Sequence, residues 1–326
     1  MDCIFFEAFQ EEQELLRQFL PKNILAEFTP KTVQEFGALE PPASVISIRT
    51  QSNIPIAWAK SLKGILSRSA GYDHIMDFRN QSKADIPCGY LPKYCARAVA
   101  EQAIMMALML LRKARAQSAH LATFNRDGLT GQELQGRNML IIGVGNIGSE
   151  IAQMAKSLCM SVKGVDKDPK SKEIEYVSLT DGLKWADVVF CALPLTWLTR
   201  GMLNYGTLKN AQEGTIFINV ARGEISPLGD LERLLDDGVL GGLGLDVFED
   251  ENKIAHFLRN PEGEADENTQ IVLRLEEKEN CIFTPHNAFN TAEAVIRKAQ
   301  QSTESIEKFL KEGRFVHPVP QEARVC

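Results

Sequence analysis

Short apolar runs alternate with amphipathic segments along most of the chain. In the first third, apolar runs predict strands at Cys3–Glu7, Ser44–Arg49 and Gly64–Ser69, and a helix is predicted over Glu11–Phe19. A later segment, about Cys95–Ala116, has an apolar interior on every side, which predicts one long buried helix. Strands that alternate with helices are typical of parallel sheets, because parallel neighbours need a crossover connection.

A second strand–helix series begins after the polar stretch 125–137. It is predicted to contain a helix over Ile147–Leu158 and strands at Met139–Val144, Ser161–Val165, Asp187–Leu193, Thr215–Val220, Gly244–Phe248 and Asn280–Thr284. The last helix, Ala292–Leu310, is expected to pack back on the first third. The acidic segment 261–270 is nearly free of apolar residues and is expected to be an exposed, mobile loop.

The pattern therefore predicts an α/β protein with two doubly wound parallel sheets. One domain is expected to be discontinuous, over 1–117 and 290–326, with a second domain, 118–289, inserted into it. The length of 326 residues agrees, because chains beyond about 250–300 residues usually divide into domains.

Composition narrows the class of protein. Hydrophobic residues make up 44% and charged residues 24%, as in soluble globular proteins. The net charge of -7 argues against a nucleic-acid partner, which would require a clustered basic face. The longest apolar run, Ala103–Leu111, is too short to span a bilayer, and the N-terminus does not resemble a signal peptide. No membrane partner is therefore expected.

Cysteine and histidine usage points to a reducing compartment and no metal. The 7 cysteines are odd in number, widely spaced and without a C-x-x-C motif, so we expect reduced thiols and a cytoplasmic location. The 5 histidines lack metal-ligand spacing.

A glycine motif follows the first strand of the second series. Gly143, Gly145 and Gly148 form G-x-G-x-x-G between a strand and a helix. These glycines permit a tight turn, a close backbone approach to a pyrophosphate and close packing of helix on strand. Asn146 and Ile147 start the helix, whose N-terminal N–H groups and dipole favour phosphates.

Asp166 ends the next strand, where a carboxylate can bond ribose hydroxyls. A carboxylate at this position repels a 2′-phosphate, so the predicted cofactor is NAD and not NADP. Lys167 and Lys170 are close enough to soften that preference.

Three polar residues follow three predicted strands. Arg222, Glu251 and His286 are each placed at a carboxyl end, where open α/β sheets bind their ligands. An arginine can bind a carboxylate through two parallel hydrogen bonds, and a histidine can give a proton to a ketone oxygen at neutral pH. A glutamate in contact with the histidine would orient the imidazole. This combination fits hydride transfer to a 2-oxo acid.

At these residues the sequence resembles the NAD-dependent D-2-hydroxyacid dehydrogenases over nearly its whole length. The motifs that carry the resemblance are Leu193–Thr196, Thr199–Leu203, Asn219–Gly223, Asp246–Glu251 and Thr284–His286. The resemblance implies two Rossmann/flavodoxin-like domains with a cleft between them, a homodimer, and catalytic roles for Arg222, Glu251 and His286. It also assigns cofactor contacts to Pro194, Thr199, Ala221 and Asp246.

Within this family the D-lactate dehydrogenase-like branch is the most similar. The segment 252–280 between the glutamate and the histidine is long, and Ala288–Ala294 resembles the branch's A-F-x-T-x-E-A run. In the first third, Leu62–Ile75 resembles the family's substrate-side loop, and Tyr94–Glu101 resembles the start of its long helix. The resemblance implies substrate contacts from Arg49, Tyr72, Tyr94 and Phe289. An apolar wall at Phe289 favours pyruvate, whereas Arg49 or Arg68 in the pocket would favour a dianion.

The chain departs from the family pattern at three positions. Asn252 replaces a common Pro, Ser226 a common Asp, and Gln102 a frequent His. Two alternatives stay open: a non-enzymatic NAD(H)-sensing protein like the family's corepressors, and a dehydrogenase of another small oxyanion such as phosphite or glyoxylate. Assays with NADH and a panel of 2-oxo acids distinguish them.

Overall fold

The computed structural model describes residues 1–261 and 263–320. Expectations that fall on Glu262 and on 321–326, including Cys326, lie outside the described residues. The chain forms two compact units, Met1–Cys95 with Asn290–Cys326 (unit 1) and Ala96–Phe289 (unit 2).

Unit 1 is built on a parallel sheet with the strand order β2-β1-β3-β4-β5. Its strands are β1 Cys3–Phe5, β2 Ala26–Phe28, β3 Val45–Ile48, β4 Gly64–Ser67 and β5 Cys88–Gly89. Its helices are α1 Gln10–Phe19, α2 Val33–Phe36, α3 Asp73–Ser82 and, from the end of the chain, α12 Ala292–Glu312. Helices α1 and α12 pack on one another, which agrees with the expectation that the last helix packs back on the first third. A side chain at Gly64 would meet the Phe309 ring of α12 at 2.5 Å, so this glycine permits α12 to pack on β4.

Unit 2 contains a parallel sheet with the order β12-β11-β10-β9-β6-β7-β8. Its strands are β6 Asn138–Ile142, β7 Ser161–Val165, β8 Glu175–Tyr176, β9 Val188–Cys191, β10 Thr215–Asn219, β11 Leu240–Leu245 and β12 Cys281–Phe283. Its helices are α4 Ala96–Leu111, α5 Ala114–His120, α6 Asn146–Ser157, α7 Leu179–Trp185, α8 Tyr205–Leu208, α9 Leu228–Asp236, α10 Glu251–Arg259 and α11 Glu267–Glu276. Strand order reverses between β6 and β9, and such a switch point is where open α/β sheets bind ligands.

The predicted long helix is two helices. The chain breaks between α4 and α5, where Lys113 has a left-handed backbone with a φ of 54°. Helix α4 packs on α6, β10 and β11 and so clusters with unit 2, whereas the sequence placed the domain boundary near residue 117. One apolar face of α4 is therefore buried against α6 and the unit 2 sheet.

The strand predicted at Gly244–Phe248 begins earlier and ends at Leu245. The start of this strand was not predicted because it contains glycines, which are depleted in strands. Side chains at Gly242 and Gly244 would press on Ile216 and Ile218 of β10 and on α4, so these glycines leave room for the packing helix.

The acidic segment is only partly a loop. Asp266 accepts a hydrogen bond from the Thr269 N–H at 2.9 Å, which caps α11, and Thr269 is buried. The expectation of a mobile loop over 261–270 is therefore wrong from Asp266 onward. None of the described helices is long and apolar enough to cross a membrane.

Candidate active site

The glycine turn joins β6 to α6. Gly143 has a φ of 96°, which favours glycine, and its Cβ would lie 2.7 Å from the Ala192 carbonyl. A Cβ on Gly148 would collide with the Gly143 carbonyl, whereas a Cβ on Gly145 would meet no atom within 4 Å. The turn is thus closed towards the sheet and open at Gly145. Because Gly145 provides no side-chain cap to α6, the turn fits a bound phosphate.

Asp166 lies beside this turn, at the end of β7. Its carboxylate accepts hydrogen bonds from the Val144 N–H at 2.8 Å and the Asp168 N–H at 2.9 Å. Lys170 forms an ion pair with Asp168 at 3.0 Å, so its charge is partly compensated. The placement fits an acid that holds ribose hydroxyls.

The loop after β9 lies at the same carboxyl end of the sheet as the glycine turn. Thr199 donates from its hydroxyl to the Pro194 carbonyl at 2.7 Å and accepts from the Thr196 N–H at 2.8 Å, which fixes the loop's shape. Ala221, which follows the neighbouring strand β10, is buried. Together with the glycine turn, these residues fit NAD.

Arg222 follows β10 in an extended conformation, with a φ of -145°, and donates through Nη1 to the Ala221 carbonyl at 2.8 Å. The next residue, Gly223, has no room for a side chain, because a Cβ would collide with the backbone of Phe248 and Glu249. The turn that carries the arginine therefore packs directly on the segment that leads from β11 to Glu251.

Glu251 and His286 are in contact. Glu251 is the first residue of α10, and His286 lies beyond β12 with a φ of 49°. The imidazole Nδ1 lies 2.9 Å from Oε1 and 3.0 Å from Oε2 of the carboxylate. The side chains of His286 and Glu251 remain 26% and 33% exposed. With Nδ1 held by the carboxylate, Nε2 is the imidazole nitrogen that can exchange a proton with a bound molecule.

Asp246 holds the turn that carries His286. Its carboxylate accepts from the Thr284 hydroxyl at 2.5 Å, the Asn287 N–H at 2.9 Å and the Ala288 N–H at 3.0 Å. Burial raises the pKa of Asp246, although these hydrogen bonds and the nearby His286 act to lower it. The sequence assigned Asp246 to the cofactor and missed these contacts. The signal available was an acid placed directly after an apolar strand.

Gln102 extends this network from α4. Its Nε2 donates to the Thr284 hydroxyl at 3.4 Å, and Thr284 in turn donates to Asp246. Gln102, which stands where the family pattern often has a histidine, therefore contacts the network that holds the His286 turn.

The predicted substrate residues occupy different surroundings. The Phe289 ring lies 6.4 Å from the imidazole of His286, centroid to centroid. In unit 1, the Arg49 guanidinium lies over the Phe9 ring at 5.3 Å, and Tyr72 packs edge-on against Tyr90. Tyr94 is buried, which raises its pKa well above the usual range.

Arg68 has a structural role. It is fully buried, and its guanidinium donates to Glu12 at 2.9 Å, to Ser47 at 3.1 Å and to the backbone carbonyls of Phe6 and Glu7. These bonds tie α1, β1 and β3 together. Within residues 1–261 and 263–320, no group of His, Cys, Asp or Glu side chains is arranged to hold a metal ion.

Comparisons with known proteins agree with this geometry. The family model described as D-isomer specific 2-hydroxyacid dehydrogenase, NAD binding domain, matches residues 104–288. A D-specific alpha-keto acid dehydrogenase of Enterococcus faecalis is 31% identical over 250 residues, covering 74% of this chain and 73% of the relative. The D-lactate dehydrogenase of Escherichia coli is 28% identical over 256 residues, covering 77% of each chain.

A solved structure is similar over the whole chain. The D-lactate dehydrogenase from Aquifex aeolicus, crystallised with NAD and lactic acid, superposes with a TM-score of 0.83 at 28% identity. The match covers 98% of this chain and 100% of that one.

The chain belongs to the D-isomer specific 2-hydroxyacid dehydrogenase family. It is an NAD-dependent oxidoreductase that transfers hydride between a 2-hydroxy acid and a 2-oxo acid, acting on the CH–OH group. The predictions of family, fold class, enzymatic activity and cofactor are confirmed. The enzymatic interpretation is therefore favoured over the non-enzymatic alternative.

Proposed function

We propose that the protein reduces pyruvate, or a slightly larger 2-oxo monocarboxylate, to the D-2-hydroxy acid. The observation that carries this proposal is the contact of His286 with both carboxylate oxygens of Glu251. This pair and Arg222 all follow the carboxyl ends of unit 2 strands. Relatives named D-lactate dehydrogenase support a lactate-like substrate.

The three residues have separate roles in the proposal. NADH, when bound, would supply the hydride. Arg222 binds the substrate carboxylate through its guanidinium and polarises the neighbouring carbonyl. His286 gives its Nε2 proton to the carbonyl oxygen, and Glu251 orients the imidazole and stabilises its positive charge.

The cofactor would be held by residues from the loops at the carboxyl ends of the unit 2 strands. The glycine turn, with Gly143, Gly145, Asn146, Ile147 and Gly148, would take the phosphates, and Asp166 the ribose. Pro194, Thr199 and Ala221 would line the nicotinamide end, and Asp246 would support that end through the turn it holds. We expect NADH to be used far better than NADPH.

Substrate size is assigned to Phe289, whose ring beside His286 provides an apolar wall. The buried and paired Arg68 is not available to bind a second anionic group. The assignments of Arg49, Tyr72 and Tyr94 to substrate binding remain proposals, as do the domain boundaries at 117/118 and 289/290.

Assembly and location are also proposed. Helix α4 exposes Met105 and Leu108, which are 41% and 39% exposed and lie on one helical face. This apolar face supports a homodimer, which light scattering would test. The described cysteines are free thiols, which supports the cytoplasm.

A substrate panel tests the proposed function. Purified protein is assayed with NADH and pyruvate, 2-oxobutyrate, oxaloacetate and 3-phosphohydroxypyruvate. Pyruvate and 2-oxobutyrate should both react, because one methylene changes binding by only about 1–3 kcal/mol. Both should exceed the dianions in kcat/KM, and the product should be the D enantiomer. A preference for a dianion would contradict the proposal, and Phe289→Ala should shift preference towards bulkier substrates.

A further inference from the structure

Asn219 is a fully buried polar residue at the end of β10. Its Nδ2 donates to the Arg222 carbonyl at 2.9 Å and to the Ser226 hydroxyl at 2.8 Å. Its Oδ1 accepts from the Ala221 N–H at 2.9 Å. One side chain therefore satisfies backbone groups on both sides of Arg222 and reaches the far end of the turn.

The same turn supports the loop after β9. The Gly201 N–H donates to the Glu224 carbonyl at 2.8 Å, and the Leu203 N–H to the Ile225 carbonyl at 2.9 Å. Ser226, whose hydroxyl receives the Asn219 amide, is also buried. The backbone of Arg222 is thus fixed between the end of β10 and a turn that is itself bonded to the loop of Pro194 and Thr199.

We propose that Asn219, together with Ser226, is a positioning residue for Arg222. This inference rests on the proposed function, in which Arg222 binds the substrate carboxylate. A guanidinium that must meet a carboxylate through two parallel bonds tolerates little displacement of its backbone. Asn219 sets that backbone without touching the substrate.

The chemistry of the contacts selects an amide. Only a side chain with an acceptor and two N–H donors serves all three partners. An aspartate would place an acceptor opposite the Arg222 carbonyl, and an alanine would leave buried groups without partners, which is costly because water does not replace them. Ser226 fits as the second partner because its hydroxyl can accept from the amide.

The first test compares Asn219→Ala with Asn138→Ala. Asn138 starts β6, at the amino ends of the strands of the same sheet, and makes a similar amide bond, to the Trp185 carbonyl at 3.0 Å. We expect Asn219→Ala to lower kcat/KM for pyruvate about 10- to 100-fold, mainly through KM, with the Kd for NADH changed less than about threefold. Asn138→Ala should leave kcat/KM nearly unchanged. A purely structural role would instead lower Tm while the kcat/KM of the folded fraction stayed at the wild-type value, and that result would overturn the proposal.

A double-mutant cycle asks whether Asn219 acts through Arg222. In an Arg222→Lys background, Asn219→Ala should cost less than about twofold further, because the geometry it protects is already lost. Equal costs in the two backgrounds would overturn the positioning role. If Arg222→Lys alone left kcat/KM unchanged, the proposed function would fail instead.

Ser226 provides a variant pair for the case in which Asn219→Ala does not fold. Ser226→Thr keeps the hydroxyl acceptor, whereas Ser226→Val has the same size and lacks it. We expect Ser226→Thr to retain a KM several-fold lower than that of Ser226→Val. Equal KM values for the two would contradict the proposed hydrogen bond's role.

Discussion

Both units place charged residues at the carboxyl ends of a parallel sheet, but they use them differently. In unit 1, Arg68 follows β4 and is fully buried, and its partner Glu12 is 3% exposed. In unit 2, His286 and Glu251 are also paired, yet 26% and 33% of their side chains remain exposed. The unit 1 charges are enclosed by protein, whereas the unit 2 pair can reach a bound molecule.

The enclosed charges of unit 1 form a compensated cluster. Glu12 lies 2.9 Å from Arg68 and 3.2 Å from Lys298. Burial acts to raise the pKa of Glu12, but Arg68, Lys298 and Arg49 outweigh it and lower the pKa to about 2. Burial, with repulsion from Arg49 and Arg68, lowers the pKa of Lys298 to about 8 in spite of Glu12. Exposure of the paired side chains therefore distinguishes the proposed catalytic pair of unit 2 from the structural cluster of unit 1.

The largest effect is expected from His286→Asn. Loss of the proton donor should lower kcat for pyruvate reduction about 10²- to 10⁴-fold, because general acid catalysis contributes that much. Tm and the Kd for NADH should change little, since the side chain is partly exposed. Stopped-flow turnover and NADH fluorescence titration measure this, and a kcat within threefold of the wild type would break the comparison.

Glu12→Gln tests the unit 1 cluster. Removing the carboxylate leaves Arg68 and Lys298 as buried cations, which should lower the free energy of unfolding by about 3–5 kcal/mol. The kcat of the protein that remains folded should stay near the wild-type value. Urea denaturation with parallel assays measures both quantities. A large loss of kcat without a loss of stability would show that these charges also take part in the reaction.

Asp246→Asn sharpens the comparison, because Asp246 is a buried acid inside the unit 2 site. One amide N–H would face the Ala288 N–H, so the free energy of unfolding should fall by about 1–3 kcal/mol. We expect kcat/KM to fall about tenfold as the His286 turn loosens. Asp187→Asn is the control, since Asp187 accepts the Asn138 N–H at 2.8 Å at the amino ends of the strands, away from the site. Equal kcat/KM values in the two variants would contradict the turn-holding role.

The smallest effect on the reaction itself is expected at Lys298, whose contribution is to the pH dependence of stability. The pKa of Lys298 is about 8 in the folded protein, against the ordinary value of 10.5 in the unfolded chain. The folded protein therefore holds this proton more weakly than the unfolded chain does. The unfolded chain therefore binds more protons in this window, and Lys298 should add stability as pH rises from about 8 towards 10.5, by at most about 1.4 kcal/mol per pH unit.

Lys298→Met should lose this rise, whereas Lys311→Met should keep it. Lys311 is on the same helix, is 65% exposed and forms an ion pair with Glu307 at the surface. Urea midpoints of the wild type and both variants at pH 8 and 10 provide the comparison. Parallel curves for the wild type and Lys298→Met would show that the buried cation is not coupled to folding.

The sequence predicted the features that depend on local pattern. The glycine turn from Gly143 to Gly148 and the strand ends before Arg222 and His286 could be read because apolar strands stop where polar residues begin. Features set by distant partners could not. Strand β11 was predicted too short because Gly242 and Gly244 are untypical of strands. These glycines make room for α4, which the local sequence does not show. The contact of Asp246 with Asn287 and Ala288 joins residues far apart in the chain.

The burial of charged side chains could not be predicted from the sequence either. Nothing in the local sequence distinguishes Arg68, which is enclosed by Glu12 and Ser47, from Arg49, which lies half-buried over an aromatic ring. Both follow strands of the same sheet, and only the tertiary contacts separate them.

The pH dependence of kcat/KM in both reaction directions tests the central claim most directly, namely that His286 moves the proton. Pyruvate reduction requires the imidazolium, and oxidation of D-lactate requires the neutral imidazole. Across the ionisation of the catalytic group, kcat/KM for reduction should fall with rising pH and that for oxidation should rise. In Glu251→Gln, kcat should fall in both directions, because the imidazole loses the carboxylate that orients it. Parallel trends in the two directions, or an unchanged kcat in Glu251→Gln, would contradict the account.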